Sequence, residues 1–175
     1  MELYKYTDKE KETILKSMVI IVDTREQVND HIKTHFDTKS IKYVIKKLDY
    51  GDYSFYIPKN DDLGIIRDLY FDKKVTVERK HSLEELSGNL TNDRERFEKE
   101  LKFYGGKMYL LIENANYHDI VVSNYKTQYK NLSYLAGLHS FSDRYDIPTI
   151  FIPKQEYSGV YIYNTLYYFL KNYLK

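Results

Sequence analysis

Cysteine is absent from the 175 residues of this chain. Its absence excludes disulfide bonds, thiol catalysis and cysteine-ligated zinc, and it favours an intracellular, cytoplasmic protein. Internal repeats and linkers rich in proline, glycine or serine are also missing. A single domain over residues 1–175 is therefore predicted.

Long apolar runs are missing as well. The run MVIIV, residues 18–22, is much shorter than the roughly 20 residues that span a bilayer. Residues 1–17 mix acidic and basic side chains and have no apolar centre, so we predict an N-terminal extension rather than a secretory signal. No membrane partner is expected.

Charge of one sign is not in excess. Lysine and arginine total 27 and aspartate and glutamate 26, which leaves a net charge of +1. A neutral total neither requires nor excludes a nucleic-acid partner, because one face of the molecule can still be basic. With 42% hydrophobic and 30% charged residues, the composition is that of a globular protein.

Short apolar runs alternate with segments of helical periodicity. Strands are predicted at residues 18–22, 41–48, 54–57, 65–71, 75–77, 108–112 and 149–152. A helix is expected to begin near Leu83, because Ser82 and Glu85 have the spacing of a capping box. This alternation predicts an α/β fold with a mixed central sheet covered by helices on both faces.

Charged residues stand where several predicted strands begin or end. Asp52 precedes one strand, and Glu78, Arg79 and Lys80 follow Val75 in another. Side chains two apart in a strand share a face, so Glu78 and Lys80 point the same way and Arg79 points to the other face. The order resembles that of the PD-(D/E)xK nucleases, in which carboxylates bind a hard cation, the metal activates water, and the lysine orients or helps to deprotonate that water.

The wider pattern resembles the XPF family of structure-selective DNA endonucleases. The family signature GDx(n)ERKx(3)D is matched by Gly51-Asp52, Glu78-Arg79-Lys80 and, with a glutamate in the last place, Glu84. IIVDTRE resembles the VDxRE strand of the family, and RFEKEL and YLLIE follow in the family's order, so that the resemblance covers about residues 19–152. It implies a restriction-endonuclease-like sheet.

The resemblance also implies roles for individual residues. The metal ligands for Mg²⁺ or Mn²⁺ would be Asp23, Asp52 and Glu78. Lys80 would be the catalytic lysine. Arg25 and Arg79 would assist, either by contacting phosphate or by holding the carboxylates in place.

The chain departs from the family in three ways. Glu84 replaces the closing aspartate, and residues 58–74 are longer than a simple hairpin needs, so we predict an inserted arm. No helix-hairpin-helix or helicase module is recognised, which leaves selectivity for branched DNA open. A stand-alone nuclease domain of this kind suggests a bacterial or phage-encoded protein, with a homodimer or an unidentified protein partner.

DNA contacts must then come from the domain itself. The predicted DNA-binding residues are basic side chains near the site or on the helix after Asn92: Lys42, Lys46, Lys47, Arg94, Arg96, Lys99 and Lys102. Tyrosines that could stack on unpaired bases are Tyr50, Tyr53 and Tyr104.

Other candidates stay open at this stage. A functional part for Glu26, Glu84 and Glu113 is undecided. His31 and His35 have i, i+4 spacing but lack a third zinc ligand nearby, and His81 is a weak candidate proton carrier.

The leading prediction is a Mg²⁺- or Mn²⁺-dependent endonuclease for branched, flapped or single-stranded DNA. The alternatives are a catalytically silent DNA-binding adaptor or dimer partner, and a Holliday-junction resolvase or restriction-type nuclease.

Overall fold

The structure is a computed structural model that describes residues 6–175. Within these residues, seven strands form one mixed sheet in the order β2-β1-β3-β5-β6-β7, with β4 paired to β3. The strands are β1 (Val19–Val22), β2 (Tyr43–Ile45), β3 (Tyr53–Ile57), β4 (Leu69–Tyr70), β5 (Val75–Lys80), β6 (Lys107–Glu113) and β7 (Thr149–Ile152).

Seven α-helices flank this sheet in the described part of the chain. They are α1 (Asp8–Ser17), α2 (Asp30–Thr38), α3 (Leu83–Leu90), α4 (Arg94–Phe103), α5 (Tyr117–Val121), α6 (Asn131–Tyr145) and α7 (Ser158–Tyr173). None of the helices among residues 6–175 is both long and apolar enough to cross a bilayer.

Two apolar clusters cover the two faces of the sheet. One joins α1, α2 and α7 to the sheet through residues such as Ile14, Phe36 and Leu166. The other joins α3, α4, α5 and α6 to it through residues such as Leu86 and Phe97. The predicted mixed sheet with helices on both faces is thus confirmed.

Strand direction brings the charged strand ends together. β3 is antiparallel to both β1 and β5, whereas β5, β6 and β7 are parallel. Val22 pairs with Tyr53, and Tyr53 pairs with Val77. The last residues of β1 and β5 therefore lie next to the first residues of β3, at one end of these strands.

The segment of residues 58–74 folds onto the body of the protein. Of the strand predicted at 65–71, only Leu69–Tyr70 pairs with β3. Leu63, Ile65 and Phe71 are buried in the first apolar cluster, and that burial explains why the segment does not project as a free arm. The prediction of a long strand here is wrong, because Ile65 forms an isolated bridge with Asn60 and only Leu69 and Tyr70 continue the ladder with β3.

The cap of α3 differs in one bond from the predicted capping box. The Ser82 hydroxyl accepts a hydrogen bond from the N–H of Glu85, as expected. The Glu85 carboxylate, however, accepts from the N–H of His81 at 2.9 Å. Glu85 thus bends back towards the end of β5, where one of its oxygens lies 4.0 Å from Lys80 Nζ.

Candidate active site

A cavity of about 530 Å³ opens at the end of the sheet where β1 and β5 end and β3 begins. Four cationic and six acidic side chains line it: Arg25, Arg79, Lys80 and Arg96, and Glu26, Asp49, Asp52, Glu78, Glu85 and Glu100. Such a dense set of charges in a partly closed space is typical of a site that binds ions or phosphate.

Asp52 reaches the cavity because of the turn that precedes β3. Gly51 has a φ of 70°, and its Cα approaches Thr76 so closely that a Cβ would lie 1.9 Å from the Thr76 hydroxyl oxygen. One Asp52 carboxylate oxygen accepts from the N–H of Arg79 at 2.7 Å. Burial, followed by the nearby carboxylates of Glu78 and Glu26, holds the pKa of Asp52 well above its usual value.

Glu78 and Lys80 share one face of β5, as their spacing predicts. The Lys80 ammonium donates to a Glu78 oxygen at 2.6 Å, and both residues are buried, with 6% and 9% of their surface exposed. Burial alone would lower the pKa of Lys80, but the Glu78 carboxylate outweighs it and the pKa is raised. Lys80 therefore carries a positive charge, which suits charge neutralisation better than proton abstraction.

Arg79 points to the opposite face of β5. Its guanidinium donates to Glu26 from Nε at 2.8 Å and to Glu113 at 2.8 Å, and a further N–H donates to the Gln27 carbonyl at 2.7 Å. Burial acts to lower the pKa of Arg79, but Glu26 overcomes it and the pKa is raised. Of the two parts predicted for Arg79, these contacts match the holding of carboxylates.

The carboxylates around Arg79 belong to a buried network. The Tyr53 hydroxyl donates to Glu26 at 2.6 Å, and His31 Nε2 lies 2.8 Å from a Glu113 oxygen. Glu113 is fully buried. The network joins the start of α2 to β3, β5 and β6, so that it fixes the strand end carrying Glu78 and Lys80.

Asp23, predicted as a metal ligand, is held by hydrogen bonds from Arg25 and Leu48, and its role towards a metal stays a prediction. Its Oδ1 accepts from the N–H of Arg25 at 2.8 Å and from Arg25 Nε at 2.7 Å, and its Oδ2 accepts from the N–H of Leu48 at 2.5 Å. Burial raises the pKa of Asp23, but these hydrogen bonds prevail and the pKa is lowered. Asp23 is 1% exposed and does not line the cavity, so its geometry is that of a brace for Arg25 and Leu48.

The carboxylates of Asp52 and Glu78, which line the cavity, fit a divalent cation. Among residues 6–175, no three acidic or histidine side chains are grouped closely enough to form a metal-binding cluster. Mg²⁺, however, is commonly held by one or two carboxylates together with water and substrate phosphate. Asp52 and Glu78 provide such a pair, and the mutual repulsion that raises the pKa of Asp52 is what a bound cation would relieve.

Two residues of α4 face the cavity, and one of them was not predicted. Arg96, predicted as a DNA contact, lines the cavity, and so does Glu100 one turn further on. Burial and the Glu78 carboxylate raise the pKa of Glu100. The i, i+4 spacing of Arg96 and Glu100, on the side away from the buried Phe97 and Leu101, was the available signal.

The other predicted DNA-binding residues lie outside the cavity. Lys42, Lys46 and Lys47 are exposed on or beside β2, and Lys46 Nζ lies 3.8 Å from the ring centroid of Tyr70. Arg94 of α4 instead pairs with Glu98 at 3.3 Å, while Lys99 and Lys102 are exposed on the same helix.

The other tyrosine, glutamate and histidine candidates differ in how they lie relative to the cavity. Tyr53 and Tyr104 are buried, so neither can stack on a base as predicted, whereas Tyr50 is half-buried at the cavity. Glu84 accepts from the N–H of Lys126 at 2.8 Å and does not line the cavity. His81 lies 2.5 Å from a Glu85 oxygen at the outer end of β5.

The sequence from residue 22 to residue 165 matches the model of the ERCC4 domain family. The chain therefore belongs to the ERCC4 domain family, and the predicted XPF-type resemblance is confirmed. Comparison with curated proteins gave no match.

Solved structures share the fold. One is XPF from Aeropyrum pernix, with a TM-score of 0.59, 16% identity and coverage of 85% of this chain. Another is XPF from Aeropyrum pernix in complex with DNA, with a TM-score of 0.62, 16% identity and coverage of 88% of this chain. The match spans 59% and 65% of those two chains, so this chain corresponds to only part of each.

Proposed function

We propose that this protein is a DNA endonuclease that depends on Mg²⁺ or Mn²⁺ and acts on branched, flapped or single-stranded DNA. The observation that carries the proposal is the set of half-buried Asp52 and buried Glu78 and Lys80 in the lining of a charged cavity, in a chain of the ERCC4 domain family. The DNA complex of the Aeropyrum pernix protein supports DNA as the substrate.

The chemistry of the site agrees with phosphodiester hydrolysis. Asp52 and Glu78 would hold the cation, which supplies an activated water and polarises the phosphoryl oxygen. Lys80 is held charged beside Glu78, so it can neutralise charge that develops on the phosphate. Arg25, whose side chain is 62% exposed, and Arg96, at 70%, are accessible to phosphates at the rim although each also pairs with a carboxylate.

A cleavage assay with a matched control tests the proposal. Labelled single strand, duplex, flap, fork and four-way junction are incubated with the protein in Mg²⁺, Mn²⁺ or EDTA. Glu78→Gln is expected to lower the cleavage rate by at least about a hundredfold, because it weakens the cation site and the Lys80 pair. Glu95→Gln, an exposed glutamate of α4 that does not line the cavity, should cut at the wild-type rate.

The outcomes separate the candidate functions. Cleavage that needs the metal and is lost in Glu78→Gln supports the nuclease, and the preferred DNA form defines its substrate. Tight DNA binding without cleavage in either metal contradicts the nuclease and favours the silent adaptor. Cleavage restricted to one base sequence favours a restriction-type enzyme.

A further inference from the structure

A second cavity, of about 580 Å³, lies away from the catalytic residues. It is formed by α7 and by the first residues of β6, where Lys107 pairs with Val75 at the start of β5. Glu78 and Lys80 stand at the other end of β5. The two sites are separated by most of that strand, so this groove is not part of the catalytic cavity.

One face of α7 lines the groove with aromatic rings. Tyr161, Thr165, Tyr168 and Asn172 recur at helical spacing along it, and Tyr173 closes one end. The opposite face of α7 is buried through Ile162, Leu166 and Leu170. Tyr161 and Phe169 of the groove also pack partly against the core, whereas Tyr168 and Tyr173 are 54% and 55% exposed and present their rings to solvent.

Lysines accompany the exposed rings. Lys107 Nζ lies 5.4 Å from the ring centroid of Tyr109, and Lys171 Nζ lies 5.7 Å from that of Tyr168. Lys74 Nζ lies 5.2 Å from the centroid of Tyr173. In the described part of the chain no aspartate or glutamate lines the groove, and residues 157–175 contain none.

Flat rings flanked by cations suit one class of ligand. Bases of an unpaired strand stack on aromatic side chains, and the phosphates between them bind lysines. A duplex does not expose its base faces, so it would use only the lysines. A second copy of this chain, related by a two-fold axis, would bring together two surfaces that both carry lysines and have no carboxylate in the groove lining, which is unfavourable.

We propose that the α7 groove, defined by Tyr109, Tyr168, Tyr173, Lys107 and Lys171, binds a single-stranded segment of nucleic acid. The groove would hold an unpaired arm of the substrate at a distance from the cut. The choice of DNA as that nucleic acid rests on the proposed function, whereas binding to the groove itself does not require catalysis.

Binding of an oligonucleotide in EDTA tests this site without cleavage. Fluorescence anisotropy of labelled twelve-residue oligothymidylate is measured for wild type, Tyr168→Ala and Tyr173→Ala. Each substitution is expected to weaken binding about tenfold, which is about 1.4 kcal/mol and within the range for one stacked base. Tyr168→Phe keeps the ring and should bind like wild type.

A matched control and a mapping experiment complete the test. Tyr157 is also 55% exposed but lies outside the groove, so Tyr157→Ala should leave binding unchanged. Photo-crosslinking of iododeoxyuridine in the oligonucleotide should label α7. Circular dichroism should show both alanine variants folded at the assay temperature, although Tyr173→Ala removes ring contacts with Phe71 and Phe169 and should lower the melting temperature slightly.

Wild-type affinity in both alanine variants, or crosslinks confined to the catalytic cavity, would overturn the inference. Loss of a dimer in sedimentation together with unchanged oligonucleotide affinity would also overturn it, and would make the groove a contact between copies. If the protein binds the oligonucleotide in the groove but does not cleave DNA, only the nuclease proposal is contradicted. If it cleaves DNA but does not bind the oligonucleotide in the groove, only the present inference is contradicted.

Discussion

Asp52 occupies an environment that opposes its own negative charge. Loss of solvent and the nearby carboxylates of Glu78 and Glu26 disfavour the ionised form of Asp52. The N–H of Arg79 and the Lys80 ammonium favour that form but do not outweigh them. Groups held in this way commonly mark functional sites, where local stability is lower than it could be. A bound cation would relieve the same repulsion that destabilises the folded protein.

Removing the charge of Asp52 should therefore stabilise the protein while abolishing cleavage. Because the folded pKa lies above the unfolded value, the folded state binds its proton more tightly, and the stability this provides at acidic pH is lost as pH rises through the folded pKa. Asp52→Asn keeps an oxygen for the N–H of Arg79 and should raise stability at pH 8 by about 1 kcal/mol. The gain should shrink towards acidic pH, as measured by thermal unfolding across pH.

Asp49 provides the control for this prediction. It lines the same cavity but is exposed, and its pKa is lowered by a salt bridge with Lys73. Asp49→Asn should bring no gain in stability at any pH. A melting temperature of Asp52→Asn that equals or falls below wild type at pH 8 would show that repulsion does not dominate at Asp52.

At the scale of elements, the turn before β3 decides where Asp52 points. Gly51 combines a positive φ with direct contact against Thr76 of β5, and Thr76 in turn donates to the Tyr53 carbonyl at 2.9 Å. A side chain at Gly51 would push the turn away from β5. The turn and strand are thus packed as one unit, and the position of the Asp52 carboxylate depends on both.

Gly51→Ala should consequently impair both stability and cleavage. The added Cβ would meet the Thr76 side chain at 1.9 Å, and the positive φ is itself unfavourable for alanine. We expect a loss of about 2 kcal/mol in urea unfolding, together with at least a tenfold lower cleavage rate.

Gly64→Ala separates strain from contact. Gly64 has a φ of 68°, but nothing lies within 4 Å of the position of a Cβ. This substitution should cost only about 1 kcal/mol and leave cleavage unchanged. Equal effects of the two substitutions on cleavage would contradict the claim that the contact with Thr76 positions Asp52.

At the scale of the whole molecule, the fold was predictable because its signals are local. The alternation of apolar runs with helical segments and the two-residue period of β5 depend on neighbours in sequence, and they correctly placed Glu78 and Lys80 on one face. The orientation of the Asp23 carboxylate, by contrast, depends on a hydrogen bond from the N–H of Leu48, which is 25 residues away in the sequence. The i, i+4 spacing of Arg96 and Glu100 indicates a shared face of α4, but only the packing of that helix brings this face to the cavity.

The distribution of charge across the molecule carries a last prediction. The net charge is only +1, and Arg94 and Arg96 of α4 face glutamates one turn along the helix. Additional attraction of duplex DNA would come from cations outside such pairs, and the exposed Lys46 and Lys47, which follow β2, are candidates for it.

Each lysine that contacts a phosphate adds nearly one unit to the slope of log affinity against log salt concentration. Lys46→Gln with Lys47→Gln should thus weaken duplex binding at low salt and reduce that slope by about two, as measured by anisotropy between 50 and 200 mM salt in EDTA. Lys9→Gln with Lys16→Gln changes the same charge on α1, which packs against α7, and should leave the slope unchanged. Equal slopes for the two double variants would mean that Lys46 and Lys47 do not contact the DNA backbone. The arginines at the cavity rim, Arg25 and Arg96, would then supply the phosphate contacts alone.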